Sequence, residues 1–158
     1  TSRLNQNLVN NSGLAISASA SYAMLTRGGL SLFELYATPS EGIKDSAIEI
    51  ALKDEILKII KDGVTKEELN RIKTGVIAGD VYQKDSVFYQ GMLIGQLETM
   101  GYPHSLMDQY TSNIKKVTSK QVQDVAKKYL IDEKLTIVTL DPQPIDPNRK
   151  PKGRPHVH

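Results

Sequence analysis

The chain has 158 residues, enough for one domain with a hydrophobic core, and its lack of cysteine excludes disulfides, thiolate zinc sites and cysteine nucleophiles. The formal net charge is +2, but residues 142–158 hold four basic residues against one aspartate, so the first 141 residues carry a net −1 and are not expected to bind nucleic acid. No apolar run approaches the roughly 20 residues needed to span a bilayer.

The first predicted elements are a helix and a long hairpin. Leucines and a valine at helical spacing predict a helix over residues 2–11, which Gly13 ends. Strict alternation then predicts a strand over residues 14–24, and the Thr-Arg-Gly-Gly sequence that follows predicts a tight turn into a second strand over residues 30–38. The apolar face of the first strand contains Leu14, Ile16, Ala18, Ala20, Tyr22 and Met24, and its small polar face contains Ala15, Ser17, Ser19, Ser21 and Ala23.

Five helices are predicted to follow the hairpin. Thr65 and Glu68 have the spacing of a capping box, in which each side chain satisfies a free backbone N–H group, and Thr118 and Gln121 repeat it further along the chain. The predicted helices cover residues 43–61, 65–84, 86–99, 106–114 and 118–130.

The arrangement of these elements along the chain predicts the fold class. Gly91 and Gly95 lie four residues apart in the third of the five helices, which allows a neighbouring backbone to come close there. Residues 135–140 are β-rich and predict a final strand. Residues 142–158 contain five of the seven prolines, so the chain is divided into a domain over residues 1–141 and a basic, proline-rich tail. Segregated strands and helices predict an α+β fold, an antiparallel sheet with a block of helices packed on one face.

The sequence contains no recognisable catalytic constellation. None of the three histidines belongs to an HxxEH or HExxH pair, so we predict no catalytic residue and no metal site in this chain. His104 follows a proline at a helix start and is expected on the surface or at a cap. His156 and His158 lie in the predicted tail, where they would bind a transition metal only loosely. There is no glycine-rich phosphate loop and no GxSxG nucleophile elbow.

The serine face of the predicted hairpin has two interpretations. An antiparallel sheet commonly buries one face and turns a polar face to bulk water. Alternatively, Ser17, Ser19 and Ser21 form part of a cavity wall that must be wettable and free of bulky side chains. The residues alone leave both interpretations open.

Four stretches, taken in order, resemble the pitrilysin/insulinase family of zinc peptidases. Each stretch is short, but their order and spacing together are specific, and they extend over residues 2–142. They read SRLNQNLVNNSGLAISASASY, DGVTKEELNRIKTGVIAGDVYQKDS, LIGQLETMGYP and VTSKQVQDVAKKYLIDEKLTIVTLDP.

The resemblance implies two similar domains that face each other across a chamber, the first of which holds zinc through HxxEH and a distal glutamate. This sequence lacks HxxEH and therefore resembles the later part of the second, non-catalytic domain, in a mitochondrial-processing-peptidase-like fold without its N-terminal part. The chain is predicted to be inactive alone and to hold no cofactor, with zinc in the catalytic domain of the parent protein. Some second domains use an arginine and a tyrosine to hold substrate, and the corresponding positions here are Val9 and Ile16, which cannot do so. Arg3 and Tyr22 lie nearby but out of register, so this role is not assigned to the chain.

The function implied by the resemblance is that of a non-catalytic part of a zinc endopeptidase. The chain would close the substrate chamber and help to bind unfolded or extended peptide, with Ser17, Ser19 and Ser21 in the chamber wall. Its expected partners are a catalytic domain or subunit bearing HxxEH, the peptide, and a second copy through an exposed sheet edge. The alternative is a scaffold or assembly domain without peptidase activity. The periplasm is the favoured compartment, with the cytoplasm as the alternative.

Overall fold

The computed structural model describes residues 2–26 and 31–142. Within these ranges the chain has the predicted α+β fold, with one antiparallel pair of strands and a series of helices. None of these helices is long and apolar enough to cross a membrane. The elements are a π-helix (Asn5–Asn11), β1 (Ala15–Tyr22), β2 (Phe33–Pro39), α1 (Asp45–Asp62), α2 (Lys66–Lys84), α3 (Val87–Thr99), α4 (Leu106–Lys116), α5 (Ser119–Tyr129) and a 3₁₀ turn (Asp132–Lys134).

The hydrophobic core lies between one face of the hairpin and the helices that cover it. The π-helix packs on β1 and α1 packs on β2. On the far side of α1 lies α5, whose Gln123 amide donates hydrogen bonds of 3.0 and 3.1 Å to the carbonyl oxygens of Ile60 and Lys61. The buried members of the core are Leu4, Leu8, Ala15, Ala18 and Ile48.

A second group of helices is formed by α2, α3 and α4. Buried Asp80 on α2 accepts a hydrogen bond of 3.0 Å from the Thr111 hydroxyl on α4 and lies 2.9 Å from the ammonium of Lys84. Lys84 also donates to the carbonyl oxygen of Met107 at 3.1 Å. These polar contacts join α2 to α4 and satisfy a carboxylate that would be costly to bury alone.

The two predicted capping boxes differ in the structure. At α5 the box is complete, because the Thr118 hydroxyl accepts from the Gln121 N–H at 3.2 Å and the Gln121 side chain accepts from the Thr118 N–H at 2.8 Å. At α2 only half forms: the Thr65 hydroxyl accepts from the Glu68 N–H at 3.1 Å. The Glu68 carboxylate instead binds the guanidinium of Arg3, a charge-assisted contact that is stronger than a bond to a neutral N–H.

The predicted last strand is wrong. Residues 135–140 do not form a strand: Val138 and Leu140 are 89% and 86% exposed, and no described residue pairs with this segment to complete a ladder. The close approach that Gly91 and Gly95 would allow is not used by any described residue, since a Cβ atom added at either would meet nothing within 4 Å.

Several predictions stay open or are refined. The first helix is present but widens to a π-helix, a rare form that helical spacing does not distinguish from an α-helix. The predicted hairpin turn falls largely on residues 27–30, and the predicted tail on residues 143–158, all outside the described residues. The division at residue 141 therefore stays a prediction.

Candidate functional site

The hairpin places the three candidate serines in a row on one exposed face. Each is paired across the sheet with a polar residue of β2. These three residues were not among the predicted site residues, although the alternation of polar and apolar residues in Phe33–Pro39 could have identified them. The row extends over four residue steps, about 13 Å at the rise of a strand, a length that matches a short stretch of extended peptide. The cross-strand pairs are Ser17 with Thr38, Ser19 with Tyr36, and Ser21 with Glu34.

A β-bulge at the start of β1 corrects the predicted faces of two residues. The pairing register shifts between Ala15 and Ser17, so Ile16 is an extra residue in its strand. Ala15 and Ala18 are both buried, at 2% and 8% exposure, whereas Ile16 is 67% exposed. The predictions that Ala15 lies on the serine face and Ile16 on the core face are therefore wrong. From Ser17 onward the serines share one face of β1 as predicted, but the opposite face is buried only at Ala18. Ala20 is exposed, and Tyr22 and Met24 are 59% and 54% exposed, so these three residues do not lie in the core.

The serine hydroxyls differ in their hydrogen bonding. Ser17 Oγ donates to Thr38 Oγ1 at 3.2 Å, and Ser21 Oγ donates to Glu34 Oε2 at 3.4 Å. Between them, the Ser19 hydroxyl has no partner among the described residues. The row therefore offers one fully free hydroxyl, flanked by two that keep unused hydrogen-bonding capacity.

The face carries negative charge. The Glu34 carboxylate, as a hydrogen-bond partner, raises the pKa of the Tyr36 phenol above its ordinary value. Neither β1 nor β2 contains a lysine or arginine. The face can hydrogen-bond a peptide backbone. Because of its negative charge, it favours peptides with basic side chains over peptides with acidic ones.

Among the described residues, no histidine hydrogen-bonds the serine row. His104, which follows α3, has its Nδ1 atom 3.0 Å from Glu98 Oε1 and is 68% exposed. Its hydrogen bond holds the pKa of Glu98 below its usual value, as expected for a surface ion pair. Within residues 2–26 and 31–142, no group of three or more histidine, aspartate or glutamate side chains could hold a metal ion. His156 and His158 lie outside these ranges.

Comparison with known proteins assigns the segment that contains this face. Residues 1–76 match the family model described as the peptidase M16 inactive domain. The match includes the π-helix, the hairpin, α1 and the first half of α2, just under half of the chain, and it confirms the predicted resemblance to pitrilysin-type peptidases. The family model that matches this segment describes an inactive domain of those peptidases.

A solved structure extends the similarity of fold to most of the M16-like chain. It is described as "The crystal structure of a protease from Helicobacter pylori", and the two chains superpose with a TM-score of 0.78 at 22% sequence identity. The match covers 85% of this chain and 32% of that protease, so the present chain spans about a third of the protease's length. At 22% sequence identity the comparison shows that the two chains share a fold. No curated protein matches the chain by sequence.

Proposed function

We propose that the chain forms the non-catalytic wall of a peptidase chamber and that its serine face hydrogen-bonds extended peptide. The observation that supports this most directly is the exposed row of Ser17, Ser19 and Ser21, which lies within the segment matched to the M16 inactive domain. Small hydroxylated side chains leave room for a peptide beside the sheet and offer it donors and acceptors.

The chemistry of cleavage belongs in this proposal to another domain or subunit that carries HxxEH. That partner would hold zinc, which activates a water molecule for attack on the peptide bond. The chain described here would align and retain the peptide. Each hydrogen bond from its hydroxyls would contribute only about 0.5–1.5 kcal/mol, so binding by this chain alone is expected to be weak and to depend little on side-chain sequence.

Binding of an unfolded peptide to variants of the serine row tests the proposal. Ser19→Leu places bulk in the middle of the row, and we expect it to weaken binding of a fluorescent unfolded peptide several-fold. Ser112→Leu, on an exposed position of α4, is the matched control and should bind as the unsubstituted chain does. Equal affinities for all three proteins would contradict the proposal.

An assembly role without peptidase context is the second candidate function. Large exposed apolar side chains favour it, because such groups mark protein interfaces when they are contiguous. The outer edges of β1 and β2 have no partner among the described residues, which supports pairing with a second copy through a sheet edge. A chain that self-associates but does not bind the unfolded peptide would favour this assembly role.

A further inference from the structure

A polar cleft of about 270 Å³ lies between the π-helix, with the two described residues just before Leu4, and α2. The described residues that line it are two arginines and three uncharged polar residues, and none of them belongs to the serine row. π-Helical turns are rare and frequently lie at functional sites. The cleft is therefore a candidate binding site separate from the serine row. The lining residues are Ser2, Arg3, Gln6, Asn7 and Arg71.

The cleft carries one positive charge that no contact neutralises. Arg3 is paired with Glu68, whereas the exposed side chain of Arg71 forms no hydrogen bond or ion pair with a described residue. Glu67, one turn earlier on α2, does not line the cleft and forms no ion pair with Arg71. An exposed guanidinium beside a polar cleft can bind an anion without first breaking a contact within the fold.

The other lining residues keep hydrogen-bond donors for a ligand. Arg3 donates through Nε and Nη2 within the fold, which leaves the two N–H groups of Nη1 without a described partner. The side-chain amides of Gln6 and Asn7 each donate one N–H group to a neighbouring side chain and keep a second. The Ser2 hydroxyl accepts a hydrogen bond of 3.3 Å from a backbone N–H and can still donate its own proton. The cleft thus combines two guanidinium groups with neutral amide and hydroxyl groups.

We propose that this cleft binds the C-terminal carboxylate of a peptide, with Arg71 and Arg3 as the charged donors. The planar fork of a guanidinium matches the two oxygens of a carboxylate, and the neutral donors suit the amide groups next to it. One unneutralised positive charge matches a monoanion better than a phosphate group, which carries about −1.5 to −2 at neutral pH. The volume lies just below the roughly 300–1,000 Å³ of pockets that enclose small molecules, so the cleft has room for the end of a chain only.

An NMR titration of the ¹⁵N-labelled full chain with two matched probes tests this site. The probes are an acetylated alanine tetrapeptide with a free C-terminal carboxylate and the same peptide with a C-terminal amide. We expect the carboxylate probe to shift the side-chain signals of Gln6, Asn7 and Arg71 and to bind roughly two- to fivefold more tightly than the amide probe at low salt. The preference should disappear in Arg71→Gln. The control is Lys66→Gln, which removes the same charge from an exposed position of α2 outside the cleft and should keep the preference.

Four results would contradict a carboxylate site in this cleft. They are equal affinities for the two probes, a preference that survives in Arg71→Gln, a preference that is lost in Lys66→Gln, and tighter binding of inorganic phosphate than of the carboxylate probe. Unchanged backbone signals away from the cleft show that Arg71→Gln keeps the fold. The amide signals of the serine row are observed in the same spectra. Shifts in that row alone would support only the proposed function, and shifts around Arg71 alone would support only the carboxylate site.

Discussion

The guanidinium of Arg3 donates two parallel hydrogen bonds of 2.6 Å to the two carboxylate oxygens of Glu68. Arg3 also donates to the carbonyl oxygen of Gly63 at 3.3 Å. These contacts fasten Arg3, two residues before the π-helix, to the first turn of α2, 65 residues away along the chain. The π-helix supports β1, so this pair helps to fix the hairpin and its serine face against the helical layer.

Loss of this pair should lower stability measurably. Both side chains are about one-quarter exposed and their geometry is bidentate, so we expect Arg3→Met to reduce the free energy of unfolding by about 1–2 kcal/mol. Urea denaturation measures the change. Lys120→Met, which removes the exposed pair with Asp124, is the control and should cost no more than about 0.5 kcal/mol. Equal losses of unfolding free energy in the two variants would contradict the prediction that the Arg3 contact stabilises the fold more than an exposed ion pair does.

The pair also predicts a dependence of stability on pH. The hydrogen bond from Arg3 lowers the pKa of Glu68 from its ordinary value of 4.5. A lowered pKa in the folded state means that the contribution is fully present above pH 4.5 and disappears as pH falls through the lower, folded-state value. We therefore expect the difference in unfolding free energy between the unsubstituted chain and Glu68→Gln to shrink as pH falls below about 4. A difference that does not change with pH would exclude this linkage.

Alanine at the α3 glycines should stabilise the monomer. Glycine in a helix interior costs about 1 kcal/mol relative to alanine, and the added Cβ of Gly91→Ala or Gly95→Ala meets nothing within 4 Å. Denaturation at low protein concentration should show a gain of up to about that size for each substitution. A loss of stability would instead indicate a close backbone neighbour, which the two glycines allow and the described residues do not supply.

The serine face should prefer basic peptides. Glu34 is the acidic residue on this face, and neither strand has a basic residue to neutralise it. Glu34→Gln should reduce the preference for a lysine-containing over a glutamate-containing unfolded peptide by a few-fold, most clearly at low salt. Glu41→Gln, outside the strands, is the matched control. If both variants keep the original preference, peptides do not bind on this face.

Local patterns in the sequence predicted the local structure well. The serine alternation, the five helices and the capping box at Thr118 depend on residues within a few positions of one another, and all are present. The prediction for Glu68 was only half correct, because its carboxylate binds Arg3, a residue far away in sequence. The spacing of residues within a helix gives no information about that long-range contact.

The remaining errors also concern contacts between distant segments. The bulge at Ile16 depends on the register between two strands, which the pattern of one strand does not determine. Residues 135–140 have strand-forming composition, but a strand requires a partner. The polar residues opposite the serines could have been found by pairing the two alternating runs across the predicted turn.

Peptide binding by the serine face is tested most directly by a ¹H–¹⁵N NMR titration of the labelled chain with an unfolded peptide. We predict that the amide signals of Ser17, Ser19, Ser21 and Tyr36 shift as peptide is added, while those of α5 stay in place. Shifts confined to other elements, or no shift at millimolar peptide, would contradict a peptide-binding role for the serine face.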